Sequence, residues 1–291
     1  MNTTQAWIRS TVLKHSLRGL AAAVALAGAA ASIAGPAPTP GNKALLTLGD
    51  SVVFGYITQG GYTYVNPANF VAYPEYLGRE LRLQTANASC PGETTAGFIS
   101  STGADNGCRP YRANFPLHVN YSSTQMAYAT SFLAANKQTR LVTISLGAND
   151  AFLLQSACNG DPACIQAGLP GLLNTIYANM NTILANLNAT GFKGTLMVVN
   201  YYSLDYTDPV QTGFTAAINQ TLAAAAAANR AVVADVFSAF QAAAAPAGGK
   251  TCVAGLLNAS PQNQFVCDVH PSQTGQQLLA KTVQAAFAAA R

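Results

Sequence analysis

The amino-acid sequence predicts an α/β protein, a three-layer α/β/α sandwich in which helices cover both faces of a central parallel sheet. The first observation is that short apolar runs of strand length alternate along the chain with longer segments of helical periodicity. The second is that the clearest apolar runs end abruptly in polar turns. Parallel strands need long crossover connections, and helical crossovers bury the sheet on both faces.

The predicted elements follow this alternation in order. Residues 44–48 form the first strand, and apolar residues at helical spacing predict a helix over 73–83. Leu83 starts the next strand, whereas segment 91–116 is rich in turn residues and is predicted to be irregular. The remaining strands are expected at 140–146, 194–201 and 231–236, and the remaining helices at 123–136, around 172–184, at 214–229 and at 272–290.

The first 34 residues have the pattern of a secretory signal peptide. Three basic residues precede a small apolar run, residues 20–34, which closes in Ser32-Ile33-Ala34 like a cleavage site. An uncleaved membrane anchor is the alternative, although the run is short and alanine-rich for a span. Residues 35–291 are then expected to form a single domain, and the protein to be secreted or periplasmic.

The charge of the chain gives no indication of a nucleic-acid partner. Three of the fifteen lysines and arginines lie within residues 1–34, which leaves twelve basic residues against eleven acidic ones. A nearly neutral chain without a basic run lacks the electrostatic footprint of nucleic-acid binding. No stable protein partner is implied either.

All the cysteines lie beyond the predicted signal peptide. An even number of cysteines in an exported chain indicates disulfides rather than free thiols. Cys158 and Cys164 enclose a short, turn-rich loop, and pairing of the other neighbours in sequence predicts Cys90–Cys108 and Cys252–Cys267. A metal site is the alternative, but only His270 lies near these cysteines, and no metal is expected.

Ser51 stands at a point where a nucleophile could act. The apolar run 45–48 stops at Gly49-Asp50-Ser51, so the serine is expected at the open edge of the sheet, where ligands bind in α/β proteins. An isolated Gly-Asp-Ser is more often only a turn. The serine interpretation therefore depends on what else the chain supplies.

A serine hydroxyl needs a base within hydrogen-bond reach. His118 has no carboxylate nearby in the sequence and is interpreted as structural. His270 directly precedes the last predicted helix, with Pro271 expected as its first residue, and Asp268 is a possible orienting carboxylate. A helix-entry His-Pro without catalytic meaning is the alternative.

Acyl transfer also needs hydrogen-bond donors directed at the developing oxyanion. Candidates are the backbone amides of Ser51 and Gly92 and the side-chain amide of Asn149, which follows the strand at 140–146. Gly92 could instead be a turn glycine, and Asn149 could cap a helix beginning near Ala151.

Taken in order, four pieces of the chain resemble the four blocks of the GDSL, or SGNH, hydrolases. They are Gly49-Asp50-Ser51, the Gly92 loop, Gly147-x-Asn149-Asp150, and Asp268-x-His270-Pro271. The resemblance spans residues 35–291 and implies the flavodoxin-like three-layer fold of that family. It also implies that Ser51 attacks an ester, that His270 is its base, and that Ser51, Gly92 and Asn149 form the oxyanion hole.

The triad acid departs from the family pattern. The family usually places it three residues before the histidine, where this chain has Cys267, whereas Asp268 is two residues before. Either Asp268 orients His270, or a backbone carbonyl near Cys267 does so and the site is a Ser-His dyad. We expect Asp268, because an anion stabilises the imidazolium formed during attack.

The resemblance predicts a secreted serine esterase or lipase that forms an acyl-enzyme on a small-molecule or lipid ester, without a cofactor. A carbohydrate O-deacetylase of the same fold and a non-catalytic secreted binding module are the alternatives. The aromatic segment 56–70 could line the substrate pocket or could be a self-packed loop.

Overall fold

A computed structural model describes residues 42–58, 64–261 and 263–291, except for the side chains of Gln264 and Phe265. The predicted signal peptide, residues 1–34, lies outside the described residues. Residues 59–63 of the predicted aromatic segment also lie outside them.

The strands and helices alternate along most of the chain, as the sequence predicts. The strands are β1 (Ala44–Gly49), β2 (Gln84–Asn87), β3 (Thr139–Ser145), β4 (Thr195–Val199), β5 (Val232–Ala234), β6 (Leu257–Ser260) and β7 (Asn263–Pro271). The helices are α1 (Ser51–Phe54), α2 (Tyr73–Leu81), α3 (Thr95–Ile99), α4 (Cys108–Asn114), α5 (Gln125–Ala135), α6 (Ala148–Ala157), α7 (Pro162–Ala189), α8 (Pro209–Ala228), α9 (Val236–Ala244) and α10 (Gln273–Ala289). Short 3₁₀ helices lie at Pro67–Asn69 and Ala245–Ala247.

The central sheet is parallel and has the strand order β2-β1-β3-β4-β5. Leu46 of β1 is paired with Ala86 of β2 on one side and with Val142 of β3 on the other. All six residues of β1 are buried. A continuous apolar strand therefore lies in the middle of the sheet, where both of its faces are covered.

Helices form the two outer layers, and the predicted three-layer α/β/α sandwich is confirmed. Helix α10 packs against α2 and α9, whereas α7 packs against α5 and α8. The core between the layers contains fully buried aliphatic side chains such as Leu46, Val142 and Ile183. Each such side chain contributes roughly 1.5–3 kcal/mol relative to an exposed position.

The strand order determines where a ligand site can form. The chain leaves β1 toward β2 on one side and returns to β3 on the other, so the connections diverge at the carboxyl ends of β1 and β3. A crevice forms at such a switch point in open α/β sheets. Ser51 lies just beyond the end of β1, and Gly147 and Asn149 lie just beyond the end of β3.

Two expectations about local structure were wrong. Segment 91–116 contains α3 and α4, which are too short to give a periodic pattern. Pro271 is not the first residue of the last helix: it ends β7, and Ser272 caps α10 by accepting a hydrogen bond from the Gly275 amide. The antiparallel pair β6–β7, here called the C-terminal ribbon, has no counterpart in the sequence prediction.

Three disulfides connect the six cysteines, and they are the pairs that the sequence predicts. They join Cys90 to Cys108, Cys158 to Cys164, and Cys252 to Cys267. The third disulfide attaches the C-terminal ribbon to the segment that precedes it, one residue before Asp268.

Within the described ranges, no helix is both long enough and apolar enough for a membrane crossing. The alternative of a membrane anchor concerned residues 1–34, which the structure does not describe. Both interpretations of that segment therefore stay predictions from sequence.

Candidate active site

Ser51 is held at the carboxyl end of β1 by a short, well-capped turn of helix. Asp50 caps α1, and its Oδ1 accepts a hydrogen bond from the Val52 amide at 2.9 Å. Gly55 ends the helix in the left-handed region, at φ 79°. Ser51 is half-buried at the first helical position, so its hydroxyl is fixed in place yet remains accessible.

The structure joins Ser51, His270 and Asp268 in one chain of hydrogen bonds. Ser51 Oγ lies 3.0 Å from His270 Nε2, and His270 Nδ1 lies 2.9 Å from Asp268 Oδ1. A carboxylate only accepts hydrogen bonds, so Nδ1 carries the proton and Nε2 is free to accept from the serine. His270 and Asp268 are 13% and 11% exposed, which limits the screening of their interaction by water.

The partners of Asp268 keep its carboxylate ionised. The Thr58 hydroxyl donates to Oδ2, and the Val269 amide donates to Oδ1. Burial alone raises the pKa of Asp268, but the hydrogen bond and charge of His270 and the bond from Thr58 outweigh it and hold the pKa below its usual value. An anion therefore faces the imidazole across the physiological pH range.

The three candidate oxyanion donors lie on segments that hydrogen-bond to one another: the Cys90 amide donates to the Gly49 carbonyl, and Asn149 Nδ2 donates to the Glu93 carbonyl. In the part of the chain that the structure describes, the backbone N–H groups of Ser51 and Gly92 have no hydrogen-bond acceptor. Gly92 adopts φ 82°, and a Cβ there would lie 2.6 Å from the Asn106 carbonyl oxygen. Only glycine fits this position, so the turn interpretation of Gly92 is also correct.

Asn149 is oriented by two polar partners. Its Nδ2 donates to the Glu93 carbonyl at 3.0 Å, and its Oδ1 accepts from Asn106 Nδ2 at 2.7 Å. The alternative in which Asn149 caps a helix near Ala151 is wrong, because α6 begins at Ala148 and Gly147 is its cap. The side chain instead connects the Gly147 turn to the Gly92 loop.

Glu93 and Gln125 were not predicted to belong to the site. The Glu93 carboxyl is buried and accepts from Gln125 Nε2 at 3.1 Å. Burial raises its pKa to about 8. Gln125 also binds both backbone groups of Gly49, with its Oε1 2.7 Å from the Gly49 nitrogen and its Nε2 3.0 Å from the Gly49 oxygen.

Two acidic residues, Asp50 beside Ser51 and Asp150 beside Asn149, hold the backbone of the site in position through hydrogen bonds. Tyr201 donates to the buried carboxyl of Asp50 at 2.6 Å. Burial raises the pKa of Asp50 to about 6, against the opposing effect of this hydrogen bond. Asp150 accepts from the backbone nitrogen and the hydroxyl of Thr95, at 2.9 and 2.6 Å. The Asp150 carboxyl therefore connects α6 to the first residue of α3.

His118 has a structural role, as predicted from its surroundings in sequence. Its Nε2 lies 3.0 Å from the Phe54 carbonyl oxygen, and its ring packs against the Phe54 ring at 4.6 Å. A carbonyl oxygen accepts, so this nitrogen carries a proton and is unavailable as a base.

The described part of the aromatic segment is self-packed and also reaches the site. The rings of Tyr56, Tyr64 and Phe70 are nearly parallel, with centroids 5.6 to 6.2 Å apart. The Tyr56 ring also lies 5.1 Å from the His270 ring. Tyr56 therefore forms one wall beside the imidazole, and the other two rings support it.

One cluster of candidate metal ligands among the described residues proves unsuitable. Ligand atoms of Glu93, Asp105 and Cys108 lie within 4.8 Å of one another. Cys108 is bonded to Cys90 and has no thiolate to offer. Two carboxyl groups remain, and one of them is already bound to Gln125.

The fold of this chain is similar to the folds of several solved structures. An α/β hydrolase enzyme, LAE5, from the metagenome of Lake Arreo has a TM-score of 0.54 and 16% identity, with 87% of this chain and 97% of that one covered. Phospholipase A1 from Streptomyces albidoflavus NA297 has a TM-score of 0.54 and 16% identity, with 84% and 99% covered. The acetylxylan esterase Axe2 from Geobacillus stearothermophilus has a TM-score of 0.51 and 16% identity, with 85% and 94% covered.

The sequence of the chain matches a protein family rather than an individual curated protein. No curated protein matches the chain in sequence. The model of the GDSL-like Lipase/Acylhydrolase family matches residues 47–278, a range that includes all four of the motifs described above. The chain therefore belongs to the GDSL-like lipase/acylhydrolase family of hydrolases.

Proposed function

We propose that the protein is an exported serine ester hydrolase that acts through an acyl-enzyme on Ser51. The observation that carries this proposal is the hydrogen-bond chain from Ser51 through His270 to Asp268. This is the arrangement that a nucleophile, its general base and an orienting carboxylate require.

In the proposed acylation step, Ser51 Oγ attacks the ester carbonyl carbon while its proton passes to His270 Nε2. Asp268 stabilises the imidazolium that forms. Collapse of the tetrahedral intermediate breaks the bond to the alcohol oxygen, which receives the proton from His270. In deacylation, water attacks the acyl-enzyme, gives a proton to His270, and releases the carboxylic acid as the proton returns to Ser51.

The proposed oxyanion hole consists of the backbone amides of Ser51 and Gly92 and the side-chain amide of Asn149. Its support is that the two backbone N–H groups have no other acceptor among the described residues, while Asn149 is oriented by its contacts with Glu93 and Asn106. Removing one such donor lowers kcat by roughly 10²- to 10³-fold in a serine hydrolase.

Export is proposed from the first 34 residues and supported by the three disulfides, because structural disulfides persist in oxidising compartments. N-terminal sequencing of the protein recovered outside the cytoplasm tests this step. A chain that begins at Gly35 is expected, whereas retention of residues 1–34 in a membrane fraction would indicate an anchor.

The substrate class is tested by hydrolysis of p-nitrophenyl esters of increasing acyl length, with Ser51→Ala as the control. We expect activity that depends on the serine and covalent capture of Ser51 by a fluorophosphonate. Preference for medium or long acyl chains supports a lipase, and activity on acetate alone supports a carbohydrate O-deacetylase. A folded protein that neither hydrolyses these esters nor reacts with the probe would be the binding module.

A further inference from the structure

We propose that Glu93 is a positioning residue that acts as a neutral carboxylic acid: together with Gln125, it ties the Gly92 and Asn149 donors to the strand end that carries Ser51. The inference deepens the proposed function and rests on it. The family motifs include Gly92 and Asn149, whereas Glu93 and Gln125 are assigned here from their contacts alone.

Gln125 fixes the end of the strand that leads to Ser51. It lies at the start of α5, is fully buried, and bonds to both the nitrogen and the oxygen of Gly49. Two hydrogen bonds from one side chain fix both the position and the orientation of the backbone at Gly49. Because Gly49 is two residues before Ser51, a displaced Gln125 side chain shifts the serine.

Glu93 connects the Gln125 side-chain amide to the segments that carry the other two donors, Gly92 and Asn149. Its carboxyl accepts from Gln125 Nε2, and its backbone carbonyl accepts from Asn149 Nδ2. It also directly follows Gly92 in the chain. Through its side chain, Glu93 contacts Gln125, which supports the strand end before Ser51. Through its backbone, it contacts Asn149 and adjoins Gly92, the other two proposed oxyanion donors.

The surroundings of Glu93 favour its neutral form. Its side chain is buried, and within the described residues no cation lies at ion-pair distance from it. A carboxyl oxygen of Asp105 lies within 4.8 Å of the Glu93 carboxyl, and the Asp105 carboxyl accepts backbone N–H bonds from Gly107 and Arg109. Two carboxyl groups this close do not both ionise readily, and the buried one keeps its proton.

The other titratable groups near Glu93 do not outweigh the surroundings that favour its neutral form. Arg112 of α4 attracts a negative Glu93, but its guanidinium lies over the Tyr121 ring and donates to the Ser122 carbonyl. Tyr121 is half-buried with its hydroxyl buried near Glu93, and this burial raises its pKa well above the usual value. Cys108, which also faces Glu93, is in a disulfide and does not titrate.

Neutrality matters because the reaction creates negative charge nearby. Loss of the Glu93 proton puts an anion beside the loop that donates to the oxyanion, and a like charge in a buried site opposes the transition state. The burial that raises the Glu93 pKa to about 8 places this loss at mildly alkaline pH. We therefore expect kcat to fall above about pH 8 in the wild-type protein.

The test compares the pH dependence of kcat for the wild type, Glu93→Gln and Glu93→Ala on a soluble p-nitrophenyl ester. Glutamine keeps the shape and neutral charge of the protonated acid, so Glu93→Gln is expected to restore most of the kcat that Glu93→Ala loses at pH 7, a loss of about tenfold or more. Glu93→Gln is also expected to lack the alkaline decline. Glu80→Gln, an exposed glutamate on α2, is the matched control and is expected to keep that decline.

An alkaline decline in Glu93→Gln equal to that of the wild type would overturn the proposal. So would a Glu93→Gln variant that is folded by circular dichroism and as inactive as Glu93→Ala. If Glu93→Ala does not fold, Gln125→Ala replaces it, with the expectation that kcat falls and KM stays the same. Ser51→Ala separates the two proposals, because ester hydrolysis that survives this change contradicts the proposed function whatever the result at Glu93.

Discussion

At the residue scale, Asp268 decides whether the site is a triad or a dyad. Its carboxylate lies against His270 Nδ1, so Asp268→Asn is expected to lower kcat on the order of ten-thousand-fold by removing the anion and disturbing the tautomer. Steady-state hydrolysis of a p-nitrophenyl ester measures the loss. A few-fold effect would show that a backbone carbonyl suffices to orient the imidazole. Asp235→Asn, a helix cap at α9, controls for the substitution itself.

Thr58 supports Asp268 from the segment that follows α1. Thr58→Val removes the hydroxyl that donates to Oδ2, so the pKa of Asp268 rises and the acid limb of the kcat profile moves to higher pH. Thr58→Ser retains the hydroxyl and is expected to restore the wild-type profile. The same acid limb in the valine and serine variants would show that the hydrogen bond from Thr58 to Asp268 does not affect catalysis.

Glu93 also links stability to pH. The unfolded glutamate ionises near its ordinary pKa of 4.5, whereas the folded-state pKa is about 8. Between these values the unfolded chain binds fewer protons, so stability falls as pH rises through this window. Glu93→Gln removes this dependence, and its Tm relative to the wild type is expected to rise from pH 4.5 to pH 8. A difference in Tm that does not change with pH would contradict a neutral buried acid.

The side chains of the proposed triad are easier to identify from the sequence than the residues that support them. Ser51, His270 and Asp268, which the structure joins in one chain of hydrogen bonds, each stand in a short local motif. Glu93 and Gln125 meet through a contact between residues 32 positions apart, and no local pattern records such a pairing. Tyr201 is similar, because it contacts Asp50 across 151 positions.

At the element scale, the C-terminal ribbon carries the proposed base, His270, and the proposed orienting acid, Asp268, outside the main sheet. The Cys252–Cys267 disulfide closes a loop with a sequence separation of 15 residues and ends one residue before Asp268. Changing both cysteines to serine is expected to reduce the free energy of unfolding by about 3 kcal/mol and to lower kcat as well. Denaturant titration and ester hydrolysis measure the two effects.

The Cys158–Cys164 disulfide provides the matched control. It closes a separation of 6 residues between α6 and α7, away from Asp268 and His270. Its loss is expected to cost about 2 kcal/mol of stability with little change in kcat. Equal effects of the two pairs on kcat would mean that the ribbon disulfide has no special influence on the site.

The elements of the central sheet were predictable, and the ribbon was not. Strands β1, β3 and β4 are rich in apolar residues and buried at most positions because both sheet faces are covered, so they stand out in the sequence. The ribbon is partly exposed: Val266 of β7, for example, is exposed. Its pairing also includes irregularities of register, so it shows no simple alternation of apolar and polar residues.

At the scale of the whole molecule, the sparse and balanced charge predicts a reaction that is insensitive to salt. Charged residues make up 9% of the chain, and beyond residue 34 the basic and acidic residues nearly balance. Hydrolysis of a neutral, soluble ester is therefore expected to vary by less than about two-fold between about 0.02 and about 0.5 M NaCl. A steep fall in kcat/KM over this range would show that local charge steers the substrate despite the overall balance.

The arrangement of the chain also bears on when the molecule becomes reactive. Ser51 and His270 are 219 residues apart, and Gln276 of α10 holds the start of the site by donating to the Val52 carbonyl at 2.9 Å. In the proposed export from the N-terminus, Ser51 crosses the membrane long before His270 does. Under the proposed mechanism the unfinished chain cannot hydrolyse esters, and hydrolysis begins only when the segment that carries His270 has packed against Ser51.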